Sequence, residues 1–179
     1  MARKMSVAFL MILTGILALN SFSQNAQDDM AIENMIRGDK FNYVLPKAMR
    51  NNNIDMWIII DKGRGTEPLF RDLGFATSNG NGIFIFTDRG GKRIERAVLG
   101  GEPELLVESK TYDIFERISS LRSFVAERDP KRIGINVSTA TELWPPEGRH
   151  LTDGLSHTDY VNLKKELGEP YASRLVSAV

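Results

Sequence analysis

Met56-Trp57-Ile58-Ile59-Ile60 is an unbroken apolar run, and its reading decides the fold. A strand with one wet face alternates apolar and polar residues, whereas a continuous run predicts a strand covered on both faces. Upstream, Val44 to Asn52 predicts a helix. Leu45, Ala48 and Met49 share a face, and Pro46 falls in the first turn, where a missing N–H is tolerated. The Asn51-Asn52-Asn53 run is expected to end that helix, because asparagine competes for local backbone bonds and accepts a left-handed conformation. A helix leading into a fully buried strand points to α/β layers.

Downstream, Asp61-Lys62-Gly63-Arg64-Gly65-Thr66 reads as a loop. Thr66-Glu67-Pro68 reads as a cap with an early proline, opening a short helix to about Leu73. Gly80-Asn81-Gly82 feeds a strand over Ile83 to Thr87. Asp88-Arg89-Gly90-Gly91 is a turn, and Arg93 to Leu99 alternates as the returning strand of a hairpin. Gly100-Gly101-Glu102-Pro103 breaks it. Ile114, Phe115, Ile118, Leu121, Phe124 and Val125 recur at three and four, which predicts one amphipathic helix from Tyr112 to about Arg128, stopped by Asp129-Pro130. Lys131 to Val137 reads as a strand. Ser156-His157-Thr158-Asp159 reads as a capping box with Asp for Glu, opening a helix that Gly168 closes, and Tyr171 to Val176 as a last short strand. The expected architecture is α/β, a mixed central sheet of about five to six strands with helices on both faces.

The chain has 179 residues, within reach of a single domain, with 42% hydrophobic and 26% charged residues, the balance of a globular protein. Cysteine is absent, which excludes disulfides, thiolate metal sites, a cysteine nucleophile and a lipoprotein anchor. Formal net charge is zero, so nothing suggests nucleic acid as a partner.

At the N-terminus, Arg3 and Lys4 precede an apolar stretch from Val7 to Leu19, and Ser21 and Ser23 supply small residues for cleavage after Ser23. The stretch holds about 13 residues, short of the ~20 a membrane-spanning helix needs. Residues 1–23 are therefore expected to be a bacterial signal peptide, with export to the periplasm or beyond and no stable membrane span. Residues 24–34 are expected to be flexible, and 35–179 to form the domain.

Candidate chemistry is sparse. His150 and His157, with Asp153 and Asp159 nearby, lack the spacing of convergent metal ligands, and His157 and Asp159 suit a helix first turn. Gly63-Arg64-Gly65-Thr66 lacks both phosphate-loop patterns, and Ser78 is not bracketed by glycines as a nucleophile elbow requires. Asn136-Val137-Ser138 fits a glycosylation sequon but lies in an expected strand. Carboxylates are scattered, with no pair in an apolar setting. Trp57 reads as core. Trp144, in the rigid loop Trp144-Pro145-Pro146-Glu147-Gly148, reads as a contact surface.

Several segments together resemble the N-terminal, non-catalytic domain of the creatinase/prolidase-type peptidases, the aminopeptidase P and Xaa-Pro peptidase family. Phe41 to Arg50 and Asn53-Ile54-Asp55-Met56-Trp57-Ile58 are similar to its opening helix and first strand, with Asn53 where glycine is common. Leu69-Phe70-Arg71-Asp72-Leu73-Gly74-Phe75 is similar to its Y-L-[ST]-G-F segment, Asp72 and Leu73 departing from the pattern. The hairpin, the long helix, Arg132-Ile133-Gly134-Ile135-Asn136 and Gly154 to Tyr160 come after it in the family's order. The likeness covers Met35 to Ser177, and the Trp144 to Leu151 stretch has no counterpart in it.

The resemblance implies a metal-dependent hydrolase in which this domain shapes substrate access and dimer contacts. It also implies a following pita-bread domain that holds two divalent metals through two Asp, one His and two Glu. The chain stops where that domain is expected to begin. It is therefore expected to be a fragment, a truncated product or a stand-alone domain, with no cofactor of its own and no catalytic residue. Its expected partners are a peptidase catalytic domain and a second copy. Phe70, Arg71, Asp72 and Phe75 are the implied contact residues, joined by Trp144. The alternative is a stand-alone periplasmic α/β binding or interaction module.

Overall fold

The structure, a computed structural model, describes residues 27–61, 69–74, 82–101, 104–137 and 154–178. The chain divides into two units, Met1–Ile36 and Arg37–Val179. In the first, residues 27–36 are helical.

The second unit is built on a six-stranded mixed sheet. Its strands are β1 (Met56–Asp61), β2 (Gly82–Thr87), β3 (Glu95–Gly100), β4 (Ile114–Glu116), β5 (Ile133–Ile135) and β6 (Leu175–Ser177). They lie in the order β4-β3-β2-β1-β5-β6. β2 pairs antiparallel with β1 and β3, while the β3–β4, β1–β5 and β5–β6 pairs are parallel. Five strands thus run one way and β2 runs against them.

Alternation along the strands sorts the core into two layers. Met56, Ile58, Ile83, Ile85, Ala97, Leu99, Ile133 and Ile135 point to one face. They are covered there by Leu121, Phe124 and Val125 of the helix Leu121–Arg128 and by Leu163 and Leu167 of the helix His157–Leu167. Ile59, Phe84, Phe86 and Val98 point to the other face. That face is covered by a π-helical turn (Lys40–Val44), the helix Leu45–Asn51, the short helix Phe70–Leu73 and the helix Glu104–Ser109. The first face is almost wholly aliphatic. The second is aromatic, with Phe41 edge-on to Phe86 at 5.0 Å and to Tyr112 at 5.6 Å between ring centroids.

The apolar run, the hairpin strands and the Ser156 cap stand as the sequence predicts. Ser156 Oγ accepts from the Asp159 N–H at 3.2 Å and donates to Asp159 Oδ2 at 2.6 Å. Gly168, at φ 61°, closes that helix. Three readings are corrected. The helix expected over Tyr112 to Arg128 begins only at Leu121. Ile114–Glu116 is instead β4, with Ile114 packed against the aliphatic layer and Phe115 against the aromatic one. The spacing of Ile114 and Phe115 suits a helix equally well, and pairing with Ala97 to Leu99 decides against it. The helix Glu104–Ser109 follows the Gly100 to Pro103 break, over residues where no element was read. The last strand is confined to Leu175–Ser177, after a 3₁₀ turn over Tyr171–Arg174.

Asn53 sits at φ 54°, joining the helix Leu45–Asn51 to β1 in the left-handed region that only glycine and asparagine enter readily. Its side chain is exposed, so substitution there reads the backbone alone. Asn53→Gly is expected to leave stability within about 0.5 kcal/mol of the parent and Asn53→Val to lower it by about 1–2 kcal/mol, measured by urea unfolding.

Asp129, also left-handed at φ 42°, accepts from Lys131 Nζ and from Arg174 Nη1, the latter at 2.5 Å. Those two hydrogen bonds, Lys131 first, hold its carboxyl down to about 2 from an ordinary 3.8. A depressed carboxyl stabilises the fold above its unfolded value and ceases to do so as pH falls through the folded one. The stability gap between the parent and Asp129→Asn is therefore expected to be constant from pH 7 to 5. It should shrink between about pH 4 and 2 in urea melts across that range.

Candidate functional site

Of the sequence-implied contact residues, Asp72 can be followed to its side chain. Phe70 and Arg71 lie in the helix Phe70–Leu73, and their side chains are outside the described set, as are Phe75 and Trp144 altogether. The stretch Leu69 to Gly74 is tied down from several directions. The Leu73 N–H donates to the Leu69 carbonyl at 3.0 Å, and Leu73 itself is buried in the aromatic layer. Buried Arg37 donates from Nε to the Asp72 carbonyl at 3.0 Å, and Tyr112 donates its hydroxyl to the Leu73 carbonyl at 2.7 Å. Burial pushes the Tyr112 hydroxyl far above its ordinary value, so it stays a donor.

The Asp72 carboxylate faces solvent and pairs with Lys40 Nζ at 2.5 Å, both side chains close to half exposed. An exposed pair of this kind adds about 0–1 kcal/mol. It presents a neutralised, hydrated surface rather than a reactive group.

Gly74 closes the stretch at φ 108°. A Cβ there would meet Leu106 Cδ2 at 2.8 Å and Arg37 Cζ at 3.1 Å. The position thus requires glycine twice over, for its backbone angle and for its neighbours.

Arg96 is the other buried cation of this layer. It sits over the Phe41 ring at 5.2 Å and donates to Asn42 Oδ1 at 2.5 Å and to the Thr111 carbonyl at 3.3 Å. Burial lowers its pKa from the ordinary arginine value. These bonds pin the π-helical turn to β3.

A groove of about 440 Å³ opens where β1 ends. This is the carboxyl edge of the parallel strands, where open α/β sheets bind ligands. Ile60 and Ile83 form part of its floor, Ile118 and Ser119 one wall, and Asp159, Asn162 and Glu166 the other. Asp159 is engaged by the helix cap. The groove offers an apolar floor and an acidic lip. A second groove, of about 400 Å³, lies on the aromatic side between the helix Leu45–Asn51 and the ends of β5 and β6. Trp57 and Arg132 are among its lining residues.

The other sequence candidates separate. His157 opens a helix, while His150 and Asp153 lie outside the described residues, as do Gly63 to Thr66 and Ser78. Among the described residues no three His, Asp or Glu side chains converge on a point where a metal ion could sit. No described helix is long and apolar enough to cross a membrane. Asn136, of the sequon, is buried and accepts from Trp57 Nε1 at 2.9 Å. Sequence reasoning missed Arg132 and the Trp57–Asn136 pair, because both depend on the β1–β5 register, for which no local pattern exists. Trp57, read as core, packs on the aromatic layer but keeps part of its surface open.

Compared with protein families, with characterised proteins and with solved structures, the chain finds no match.

Gly74→Ala is expected to destabilise the protein by about 2–4 kcal/mol through strain and overpacking. Tyr112→Phe, which strips the Leu73 carbonyl of its donor, is expected to remove about 1–2 kcal/mol. Urea unfolding measures both.

Proposed function

We propose that the chain is the N-terminal, non-catalytic domain of an exported Xaa-Pro aminopeptidase-like metallopeptidase of the creatinase/prolidase type, shaping substrate access and dimer contacts. The observation that carries this reading is the left-handed backbone at Asn53, φ 54°. The resemblance has glycine at that place, between the opening helix and the first strand, and the position calls for a residue that tolerates a positive φ. Gly74 supports it in the same way, standing at φ 108° where the Y-L-[ST]-G-F segment has its glycine. The remaining similar segments fall in chain order on the buried β1, the β2–β3 hairpin, the helix Leu121–Arg128, β5 and the capped helix His157–Leu167.

In this reading residues 1–23 are the export signal, and the protein acts in the periplasm or outside the cell. The divalent metal pair belongs to the catalytic domain, and no catalytic step is assigned to this chain's residues. The groove at the carboxyl edge of the sheet favours a second reading, a stand-alone periplasmic binding or interaction module.

The genomic sequence following the Val179 codon separates the two. A continuing or adjacent reading frame that supplies two Asp, one His and two Glu in the metallopeptidase order is the expected result. Unrelated sequence there would sink the peptidase reading and leave the module. In parallel, the purified chain is expected to show no metal-dependent cleavage of an Xaa-Pro peptide. Turnover that persists through repurification would overturn the non-catalytic assignment.

A further inference from the structure

The aromatic face of the sheet is unevenly covered. Ile59, Phe84 and Phe86 on that face are at most 1% exposed, whereas Trp57 beside them keeps part of its indole open. The reason lies in the neighbouring strand. Trp57 pairs with Gly134, over which Ile54 and Ala178 pack in place of a side chain from β5 itself, and by alternation Arg132 stands on the same face two residues earlier. The result is the groove of about 400 Å³, walled by Leu45, Ala48 and Met49 and by Trp57. Its volume is at the lower end of small-ligand pockets, roughly 300–1,000 Å³.

The polar inventory of this groove is one-sided. Trp57 Nε1 is bonded to Asn136, Asn52 Nδ2 to the Ala48 carbonyl at 2.8 Å, and Ser177 Oγ to the Val137 carbonyl at 2.6 Å. The Arg132 backbone N–H is held by Asp55 Oδ2 at 2.9 Å. Its exposed guanidinium forms no ion pair or hydrogen bond with any described residue, and among the described residues no carboxylate side chain lines the groove. An apolar trough with a lone cation at its rim selects a ligand with an apolar body and one negative charge.

We propose that this groove binds a carboxylate carried next to a bulky apolar side chain, the chemistry of a peptide's C-terminal residue. The side chain lies against Trp57 and Met49, and the carboxylate accepts from the Arg132 guanidinium. The groove is lined by residues of segments that also carry the resemblance, Leu45, Met49, Ile54, Trp57 and Arg132 among them, but its test reads ligand binding alone, so its failure is distinguishable from failure of the domain assignment.

The test follows the Trp57 indole N–H by ¹H–¹⁵N NMR in the intact chain, the two indole signals being told apart with Trp144→Phe. N-acetyl-leucine is expected to shift the Trp57 signal saturably, with a dissociation constant on the order of 1 mM. N-acetyl-leucinamide, which lacks the charge, and acetate, which lacks the side chain, are each expected to bind at least about tenfold more weakly. Arg132→Gln is expected to weaken N-acetyl-leucine about tenfold, and Arg132→Lys to recover part of the loss. The backbone spectrum of each variant reports that the fold is kept. No saturable shift by 50 mM ligand (roughly −2 kcal/mol of affinity) would overturn the proposal. Equal binding of the amide, or an Arg132→Gln titration that overlays the parent, would overturn it as well.

Discussion

Everything in the larger unit hangs on β1 being buried on both of its faces. Met56 and Ile58 enter the aliphatic layer, and Ile59 enters the aromatic one. A strand that feeds two cores cannot slip by one residue, since the shift would exchange their contents. Each layer is specific to its side: the aliphatic side accepts two helices, the aromatic side a helix, a π-helical turn and two shorter helices. β1 also pairs on both edges, antiparallel to β2 over six residue pairs and parallel to β5 over three. The rest of the sheet is placed by extension from it.

Side chains at the ends of elements then lock the layers together. Arg50 reaches from its helix to Asp88 at 2.6 Å and to the Gly91 carbonyl, joining that helix to the β2–β3 turn. Its donation holds the Asp88 carboxyl below the usual carboxylate range. On the other side, Arg128 lies over the Phe124 ring and reaches Glu95 at 2.5 Å, so one helix is fastened to the start of β3. These contacts join elements far apart in sequence, and they are made by arginines whose stems add packing as well as charge.

What the sequence made legible was set by how much pattern each element carries. The five-residue apolar run, the hairpin with its Asp88–Gly91 turn and the Ser156-to-Asp159 cap each carry a local signature, and each stands where it was read. β4 and β6 have three residues apiece, too few for a period of two to show. Ile114 and Phe115 were drawn into the helical spacing of Ile118 and Leu121 for that reason. The helix Glu104–Ser109 was hidden behind Gly100 to Pro103, which mark the end of a strand and carry no sign of a helix beyond it. The contact residues were less legible still. Asp72 was named for a contact that the resemblance implies, and its pairing with Lys40 and the carbonyl bonds from Arg37 and Tyr112 are long-range events that no local pattern displays. Arg132 and Trp57 come together only through the pairing of β5 with β1, and no window of sequence displays that.

The strand order has a consequence for the chain as it is made. β1, β2, β3 and β4 are contiguous in sequence and in the sheet, so this half can assemble as it emerges. β5 must then cross from the β4 edge back to the far side of β1. Until it does, one edge of Met56–Asp61 has no neighbour in the sheet. About 70 residues separate Asp61 from Ile133, which at a synthesis rate of ~5–20 residues per second is a delay of several seconds. An unpaired apolar edge is a template for pairing with another chain. The protein's most vulnerable interval therefore falls before Ile133 exists, and a strand destined to be covered on both faces is the one left waiting.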